Sequence, residues 1–408
     1  MLELVVMKRS LFKSALVLGG LLVGLAVSEL VVRLTGPIVN ESGSSRVSIN
    51  CHEGLVWYPH PYFSHVRRPR DWCLDGVGPN TEGFFGARIP RTYDSKFFTV
   101  LVTGGSVAEE VAYPYPENQF SLERFLNEAY VPPDGRERFR VINGAVAGNR
   151  QPAQSIVAFR ALPLVDAVLS IEGFNEHYLV MSGESLWAPT IQFYAYLYSL
   201  EKSPVWYFLT RTLVSFNENL KASPVRHSQF VSLVVSVLTD VLVKRYETGM
   251  SAIDTPNPMG ILSPQPDELN GESHSTRVLD EYKSIVRQIH HAASSAGKKF
   301  LTVLQPTPAL YKSLTEEEKS MVDRYSSSYV YLKVVEDLLA LGDEGLAVYS
   351  SLRVFENEQG TIYRDSIHFD RAPSESNRTS GLEIFVEDLG RAIEKKWGWE
   401  RKHKVSGK

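Results

Sequence analysis

The chain has few cysteines and no strong excess of charge of one sign. Its 408 residues include only two cysteines, and its formal net charge is −4 at pH 7. The two thiols are well separated, so the sequence does not match a zinc-binding pattern. No stripe of lysine and arginine with interleaved aromatic residues is present, which argues against nucleic acid as a partner. Internal repeats and low-complexity tracts are also absent from the sequence.

The composition is otherwise that of a globular protein. Hydrophobic residues make up 43% of the chain and charged residues 22%, so disorder or a fibrous structure is not expected. The length suits one large domain with additions, or two domains.

The longest apolar run lies near the N-terminus. Residues 15–32 are almost wholly apolar, and Lys8, Arg9 and Lys13 precede them. This length is close to the roughly 20 residues that a helix needs to cross a bilayer. Basic residues before such a helix favour a cytoplasmic N-terminus. We therefore predict a signal-anchor helix within residues 1–36 and export of the remaining chain to the periplasmic or extracellular side.

Two other interpretations of this run remain open. It can be a signal peptide cleaved near residues 26–28, or a buried core helix. In an exported protein, Cys51 and Cys73 favour a disulfide. Such a bond would close a loop of about twenty residues and stabilise the fold by roughly 3 kcal/mol. The alternative is a pair of free thiols.

Strand-like and helix-like segments alternate over most of the chain. Buried strands are predicted at residues 97–102, 138–142, 166–171, 300–304 and 347–349. Helices are predicted at residues 115–129, 152–162, 280–296, 329–341 and 381–397, with a further one opened by Thr315. This alternation predicts an α/β fold with a mainly parallel sheet. We interpret residues 37–96 as a linker and irregular extension, and residues of about 178–275 as a helical insertion.

Two segments carry residues suited to nucleophilic catalysis. Ser106 lies in a Thr-Gly-Gly-Ser-Val turn directly after the first predicted strand. In open α/β sheets, the carboxyl ends of the strands are the usual place for chemistry. Near the other end of the chain, Asp365 and His368 supply a carboxylate and an imidazole three residues apart. A serine, a base and a group that orients the base are the parts of a hydrolytic triad.

Four short blocks occur in an order that resembles the SGNH hydrolases, also called the GDSL esterases and lipases. No block is specific by itself, but each follows a predicted strand or lies in the late loop. The blocks are Gly104-Gly105-Ser106, Asn143-Gly-Ala-Val-Ala-Gly148, Gly173-Phe174-Asn175-Glu176 and Asp365-Ser366-Ile367-His368.

The resemblance implies a flavodoxin-like, three-layer α/β/α hydrolase domain over residues 97–398. It implies that Ser106 is the nucleophile, that His368 is the general base and that Asp365 orients the imidazole. The implied oxyanion donors are the backbone N–H groups of Ser106 and Gly148 and the side-chain amide of Asn175. No cofactor and no metal are implied.

The sequence departs from the family pattern at two positions. Gly105 replaces the usual aspartate before the serine, and Glu176 replaces the aspartate after Asn175. Neither change removes a catalytic group. His177 matches no family role and is interpreted as structural, and His290 and His291 as surface or core residues of a helix.

These patterns favour a membrane-anchored serine esterase. Its substrate would be an acyl ester, such as an acetyl group, on an envelope or extracellular polysaccharide or lipid. Two alternatives remain: an SGNH-type O-acyltransferase that passes the acyl group to a polysaccharide, and a non-catalytic envelope scaffold with the same fold.

Overall fold

The computed structural model describes most of the chain in two units. Described are residues 19–20, 23–32, 57–67, 79–113, 120–182, 186–187, 271–308, 310–322, 329–371 and 379–402, and scattered positions between 205 and 241. The first unit comprises Met1–Leu55 and Leu197–Thr255, and the second comprises Val56–Tyr196 and Pro256–Lys408.

The second unit contains two sheets. A two-stranded antiparallel hairpin consists of β1 (Trp57–His60) and β2 (Ser64–Arg67). The larger sheet has five strands, all parallel: β3 (Phe97–Gly104), β4 (Arg138–Asn143), β5 (Ala167–Glu172), β6 (Lys299–Leu304) and β7 (Val348–Ser350). Their spatial order is β4-β3-β5-β6-β7. Counted within this sheet, the order is 2-1-3-4-5, which is the flavodoxin-like order of doubly wound sheets.

Helices connect these strands. In chain order they are α1 (Ser106–Ala112), α2 (Leu122–Ala129), α3 (Ala153–Ala161), α4 (Phe174–Ser182), α5 (Gly271–Ser295), α6 (Glu316–Met321), α7 (Tyr329–Leu339) and α8 (Gly381–Trp397). Short 3-10 turns occupy Pro133–Gly135, Leu162–Leu164 and Ala340–Glu344. The sequence explains several ends: Thr315 and Glu318 form a capping box at α6, and Gly398 ends α8 in the left-handed conformation.

The sheet is covered on both faces, as the alternation of its strand residues requires. On one face, Val100, Val102 and Leu169 pack into a cluster with residues of α1, α2 and α8. On the other face, Leu101 and Val168 pack with residues of α3 and α5. Both faces of each central strand are therefore buried, which accounts for the nearly continuous apolar runs in the sequence.

The α/β fold and all five predicted strands are confirmed. The sequence missed α1, which begins at Ser106 itself. The helix predicted over residues 115–129 begins only at Leu122, because the side chain of Ser121 caps it; residues 114–119 lie outside the described residues. The extension before β3 contains the hairpin β1–β2.

Several N-terminal predictions fall outside the described residues. Cys51 and Cys73, and most of the insertion at about 178–275, are among them. Of the predicted anchor, the structure describes residues 19–20 and 23–32, both as helix. No helix in the described part of the chain is both long enough and apolar enough to cross a membrane. The predicted domain boundaries stay predictions.

Within the first unit, the helical residues 23–32 carry one acidic side chain. The Glu29 carboxylate accepts hydrogen bonds from Ser228 Oγ at 2.7 Å and from the Phe230 backbone N–H at 2.9 Å. Residues far apart in the sequence are thus joined in this unit.

Candidate functional site

The sheet order creates a crevice at the carboxyl ends of β3 and β5. β4 lies on one side of β3, and β5 lies on the other side. The connection that follows β3 and the connection that follows β5 therefore run in opposite directions along the sheet. Ligands of open α/β sheets bind at such a switch point. Ser106 begins α1 just after β3, and Asn175 lies in the first turn of α4 just after β5. The two residues therefore flank the crevice, as the sequence predicts.

Glycines before Ser106 allow a very close approach of three segments. Gly104 has φ of 148°, and a Cβ atom there would lie 2.3 Å from the Ile171 carbonyl oxygen. A Cβ atom on Gly105 would lie 2.3 Å from Nδ2 of Asn175. A side chain at position 105 is therefore incompatible with this position of Asn175.

Asn175 is held with its amide beside the serine turn. Its Nδ2 donates a hydrogen bond to the Asn149 backbone carbonyl at 2.7 Å. A side-chain amide nitrogen carries two hydrogens, so one further N–H is left for a ligand. Because the same Nδ2 adjoins Gly105, that donor lies next to the backbone of Ser106.

The glycine loop, defined as residues 143–149, packs against α1. The Val146 N–H donates to the Gly104 carbonyl at 3.2 Å, and the Ala147 N–H donates to Oε2 of Glu109 at 3.3 Å. Gly148 has φ of 75°, a conformation that residues with a side chain rarely adopt. These contacts bring the predicted Gly148 donor to the helix that Ser106 opens.

A buried ion pair fastens this loop from the hairpin side. Arg67 of β2 donates from Nη2 to Glu109 Oε1 at 2.6 Å, and the two side chains are only 5% and 3% exposed. Arg67 Nε also donates to Oε2 of Glu109 at 3.1 Å. The bidentate geometry satisfies the carboxylate inside the protein, where an unpaired charge would be costly.

Asp365 and His368 form a closed local unit. Asp365 Oδ2 accepts from His368 Nδ1 at 2.8 Å, and Asp365 Oδ1 accepts from the backbone N–H groups of Ile367 at 2.8 Å and His368 at 2.7 Å. Burial alone would raise the pKa of Asp365, but the bond and charge of His368 and the two backbone donors hold that pKa well below its usual range. The carboxylate therefore stays ionised and fixes the imidazole with Nε2 facing away from it.

The Asp-His loop, defined as residues 361–371, is tethered to α1 by Glu110. Arg371 Nη2 donates to Glu110 Oε1 at 2.8 Å, and Arg364 donates to the same oxygen. Glu110 lies one helical turn after Ser106 and on the same face of α1. The tether thus joins the loop that carries Asp365 and His368 to the helix that Ser106 opens. Among the described residues, no hydrogen bond joins Ser106 Oγ to His368.

Two buried carboxyl groups lie beneath the Asn175 turn. Glu176 Oε1 accepts from the Gln151 N–H at 2.8 Å, and its Oε2 accepts from the Gly173 N–H at 2.8 Å. Glu172 Oε2 accepts from Gln151 Nε2 at 2.7 Å. Burial raises the pKa of both carboxyl groups, and the neighbouring Glu172 charge adds to the rise for Glu176. Glu176 thus joins the segments after β4 and β5 by hydrogen bonds. A glutamate, although longer than an aspartate, therefore orders this turn.

Two further histidines singled out in the sequence, His177 and His290, are buried and bonded to other groups. His177 is fully buried, and its Nδ1 is bonded to the Phe174 carbonyl. His290 is buried on α5 with Nε2 3.1 Å from Thr302 Oγ1, and burial lowers its pKa to about 3. In the part of the chain that the structure describes, no group of histidine, cysteine and acidic side chains could hold a metal ion.

The sequence interpretation missed four residues that hold the site: His65, Arg67, Glu109 and Glu110. The signal for two of them was available, since Glu109 and Glu110 are the only charged residues between Phe97 and Ala112. When such an apolar run is buried, the charged side chains within it need ion-pair or hydrogen-bond partners. Their partners come from β2 and from the Asp-His loop, at sequence distances that no local pattern reveals.

Comparison with known proteins adds little. No family model matches the sequence. A search of characterised proteins finds no relative. Among solved structures, one match is the crystal structure of a Bacteroides fragilis protein whose description gives acylhydrolase as a presumed activity. The match covers 76% of this chain and 91% of that chain, with 7% identity and a TM-score of 0.35.

Proposed function

We propose that the chain is a serine esterase of the SGNH type, with Ser106 as its nucleophile. The observation that carries this proposal is the Asp365–His368 pair, bonded through Nδ1 at 2.8 Å and tethered to the helix that Ser106 opens. Acyl transfer requires a carboxylate that fixes the imidazole tautomer and a serine that the imidazole can reach. The pair supplies the first, and the bond of its loop to α1 supports the second.

The reaction proceeds in two steps. Ser106 Oγ attacks the ester carbonyl carbon while His368 Nε2 takes the hydroxyl proton, and the same proton is then given to the leaving alcohol. The acyl-serine is hydrolysed by water that His368 deprotonates in turn. Asp365 remains ionised and stabilises the transient imidazolium. The backbone N–H groups of Ser106 and Gly148 and the Asn175 amide bind the oxyanion, each donor contributing about 3 kcal/mol.

Substitution of the serine tests this proposal. Ser106→Ala should abolish hydrolysis of a nitrophenyl acetate ester, and Ser366→Ala is the matched control because Ser366 lies in the Asp-His loop and has no catalytic role here. Both variants should unfold at the temperature of the wild-type protein. Wild-type hydrolysis by Ser106→Ala would overturn the proposal.

The proposal extends to location and substrate. An N-terminal membrane anchor and an exported catalytic domain are supported by the apolar run with its preceding basic residues. Glu29, the one acid in that run, has hydrogen-bond partners within its unit, which lowers the cost of placing it near a bilayer. An exported esterase would act on esters of an envelope or extracellular polysaccharide or lipid.

Fractionation tests the location. The full chain should sediment with membranes and resist extraction by high salt and alkali, whereas a chain beginning at residue 37 should not. Release of the full chain by alkali would contradict an integral anchor.

A further inference from the structure

His65 of β2 makes a contact with the glycine loop that no family motif contains. Its Nε2 lies 2.9 Å from the carbonyl oxygen of Ala147, the residue directly before Gly148. His65 is 1% exposed and belongs to the hairpin, outside the segment that resembles a hydrolase.

The protonation state of His65 follows from its surroundings. Burial, together with the charges of Arg67 and Arg150, lowers the pKa of His65 to about 4, although the hydrogen bond to Ala147 acts in the opposite direction. The ring is therefore neutral near pH 7. A carbonyl oxygen can only accept, so the single ring hydrogen is on Nε2 and is donated to Ala147.

The bond to His65 fixes the orientation of the whole Ala147–Gly148 peptide, not only of its carbonyl group. The Ala147–Gly148 peptide is planar, and in a trans peptide the N–H points opposite to the C=O. A carbonyl held at His65 therefore directs the Gly148 N–H away from the hairpin. The preceding peptide is fixed as well, because the Ala147 N–H is bonded to Glu109. Rotation of the Ala147–Gly148 peptide would break the bond to His65.

We propose that His65 is a positioning residue for the oxyanion hole, which it serves by holding the Ala147–Gly148 peptide with the Gly148 N–H directed into the site. This role rests on the proposed esterase function. It makes the hairpin a working part of the site, because without β2 the loop loses both His65 and Arg67.

Two polar substitutions of different length test the role. Glutamine at position 65 can reach the Ala147 carbonyl with its Nε2, whereas asparagine is one methylene shorter and cannot. We expect His65→Asn to lower kcat by roughly 10²-fold with KM within about twofold of wild type. His65→Gln should restore most of kcat. Affinity for a boronic acid, whose serine adduct places an oxygen in the oxyanion hole, should fall in parallel with kcat/KM.

A control variant separates the loss of the His65 hydrogen-bond donor from general destabilisation of the hairpin. Phe63→Leu disturbs the buried side of the same hairpin without touching the bond to Ala147. At a comparable drop in melting temperature, it should keep kcat. Equal kcat losses in His65→Asn, His65→Gln and Phe63→Leu would overturn the positioning role.

The failures of the two proposals are distinguishable. Full activity of Ser106→Ala overturns the esterase proposal. Normal kcat in His65→Asn, together with an inactive Ser106→Ala, overturns the role of His65 alone.

Discussion

Two loops reach the helix that Ser106 opens, and they are fastened in different ways. The glycine loop is held to Glu109 and His65 by contacts that are almost fully buried. The Asp-His loop is held to Glu110 by Arg364 and Arg371, whose side chains are 30% and 25% exposed. The adjacent residues Glu109 and Glu110 of α1 thus each bind a different loop. The proposed oxyanion donor is therefore fixed by buried contacts, while the proposed base is tethered by side chains within reach of solvent.

Breaking the buried pair should give the largest effect. Arg67→Ala leaves the Glu109 charge buried without its bidentate partner, so we expect a loss of about 3–5 kcal/mol in the free energy of unfolding. Urea denaturation measures it. The double variant Arg67→Met with Glu109→Gln removes the charge and keeps an acceptor for the Ala147 N–H, so it should recover much of the loss. A double variant as unstable as Arg67→Ala would contradict this account of the glycine loop.

Acid should loosen the two loops in separate pH windows. The folded-state pKa of His65, about 4, is below its ordinary 6.5, so the unfolded chain binds the proton first and stability falls as the pH drops from about 6.5 to about 4. The full loss is roughly 3 kcal/mol. Asp365 has its pKa lowered from 3.8, so its contribution is lost only as the pH falls below about 3.8. Urea midpoints measured from pH 8 to pH 2 resolve the two windows.

Variants assign each window to its loop. His65→Gln should reduce the fall in stability between about pH 6.5 and 4 and leave the lower limb. Asp365→Asn should do the reverse. The fall that remains in the upper window in His65→Gln is expected from His290, whose pKa burial lowers to about 3. An unchanged upper window in His65→Gln would show that another group causes it.

Adding one methyl group at the serine turn should damage catalysis more than folding. The Cβ of Gly105→Ala would meet Asn175 Nδ2 at 2.3 Å and push that donor away. We expect kcat to fall about 10²-fold, the effect of removing one oxyanion donor. Gly342→Ala is the matched control, because its Cβ would have no neighbour within 4 Å. Unchanged kcat in Gly105→Ala would remove Asn175 from the proposed oxyanion hole.

The tether of the Asp-His loop should show the smallest effect and the strongest dependence on salt. Arg364→Ala leaves Arg371 on Glu110, so about 1 kcal/mol of stability is expected to be lost. Because Arg364 is partly exposed, its contribution should shrink between 0.05 M and 1 M sodium chloride, as screening predicts. The buried Arg67–Glu109 pair should change little over this range. If salt changed the stability loss of Arg364→Ala and of Arg67→Ala equally, the contrast between a buried and a partly exposed tether would be contradicted.

The sequence predicts the sheet well because its signals are local. Buried parallel strands give nearly continuous apolar runs such as residues 97–102, and the first four runs are followed within two residues by glycine, asparagine or proline. The turn after β3 and the Asp365–His368 spacing are equally local, so the candidate site could be located from motifs. The structure places Ser106 and Asn175 at one crevice and bonds Asp365 to His368.

What the sequence could not give is the set of long-range partners. The bond between His65 and Ala147 joins residues 82 positions apart, and that between Glu110 and Arg364 joins residues 254 apart. No periodicity encodes such pairs. Nor could the sequence show that a Cβ atom on Gly105 would lie 2.3 Å from the Asn175 amide across the crevice.

Covalent labelling tests the central claim most directly. The full chain is treated with a fluorophosphonate at neutral pH, digested, and examined by mass spectrometry for the modified residue. A serine activated by His368 should be labelled stoichiometrically at Ser106, and His368→Ala should abolish the labelling while the protein stays folded. Absence of label at Ser106 in the folded wild-type protein, or equal labelling in His368→Ala, would contradict the account.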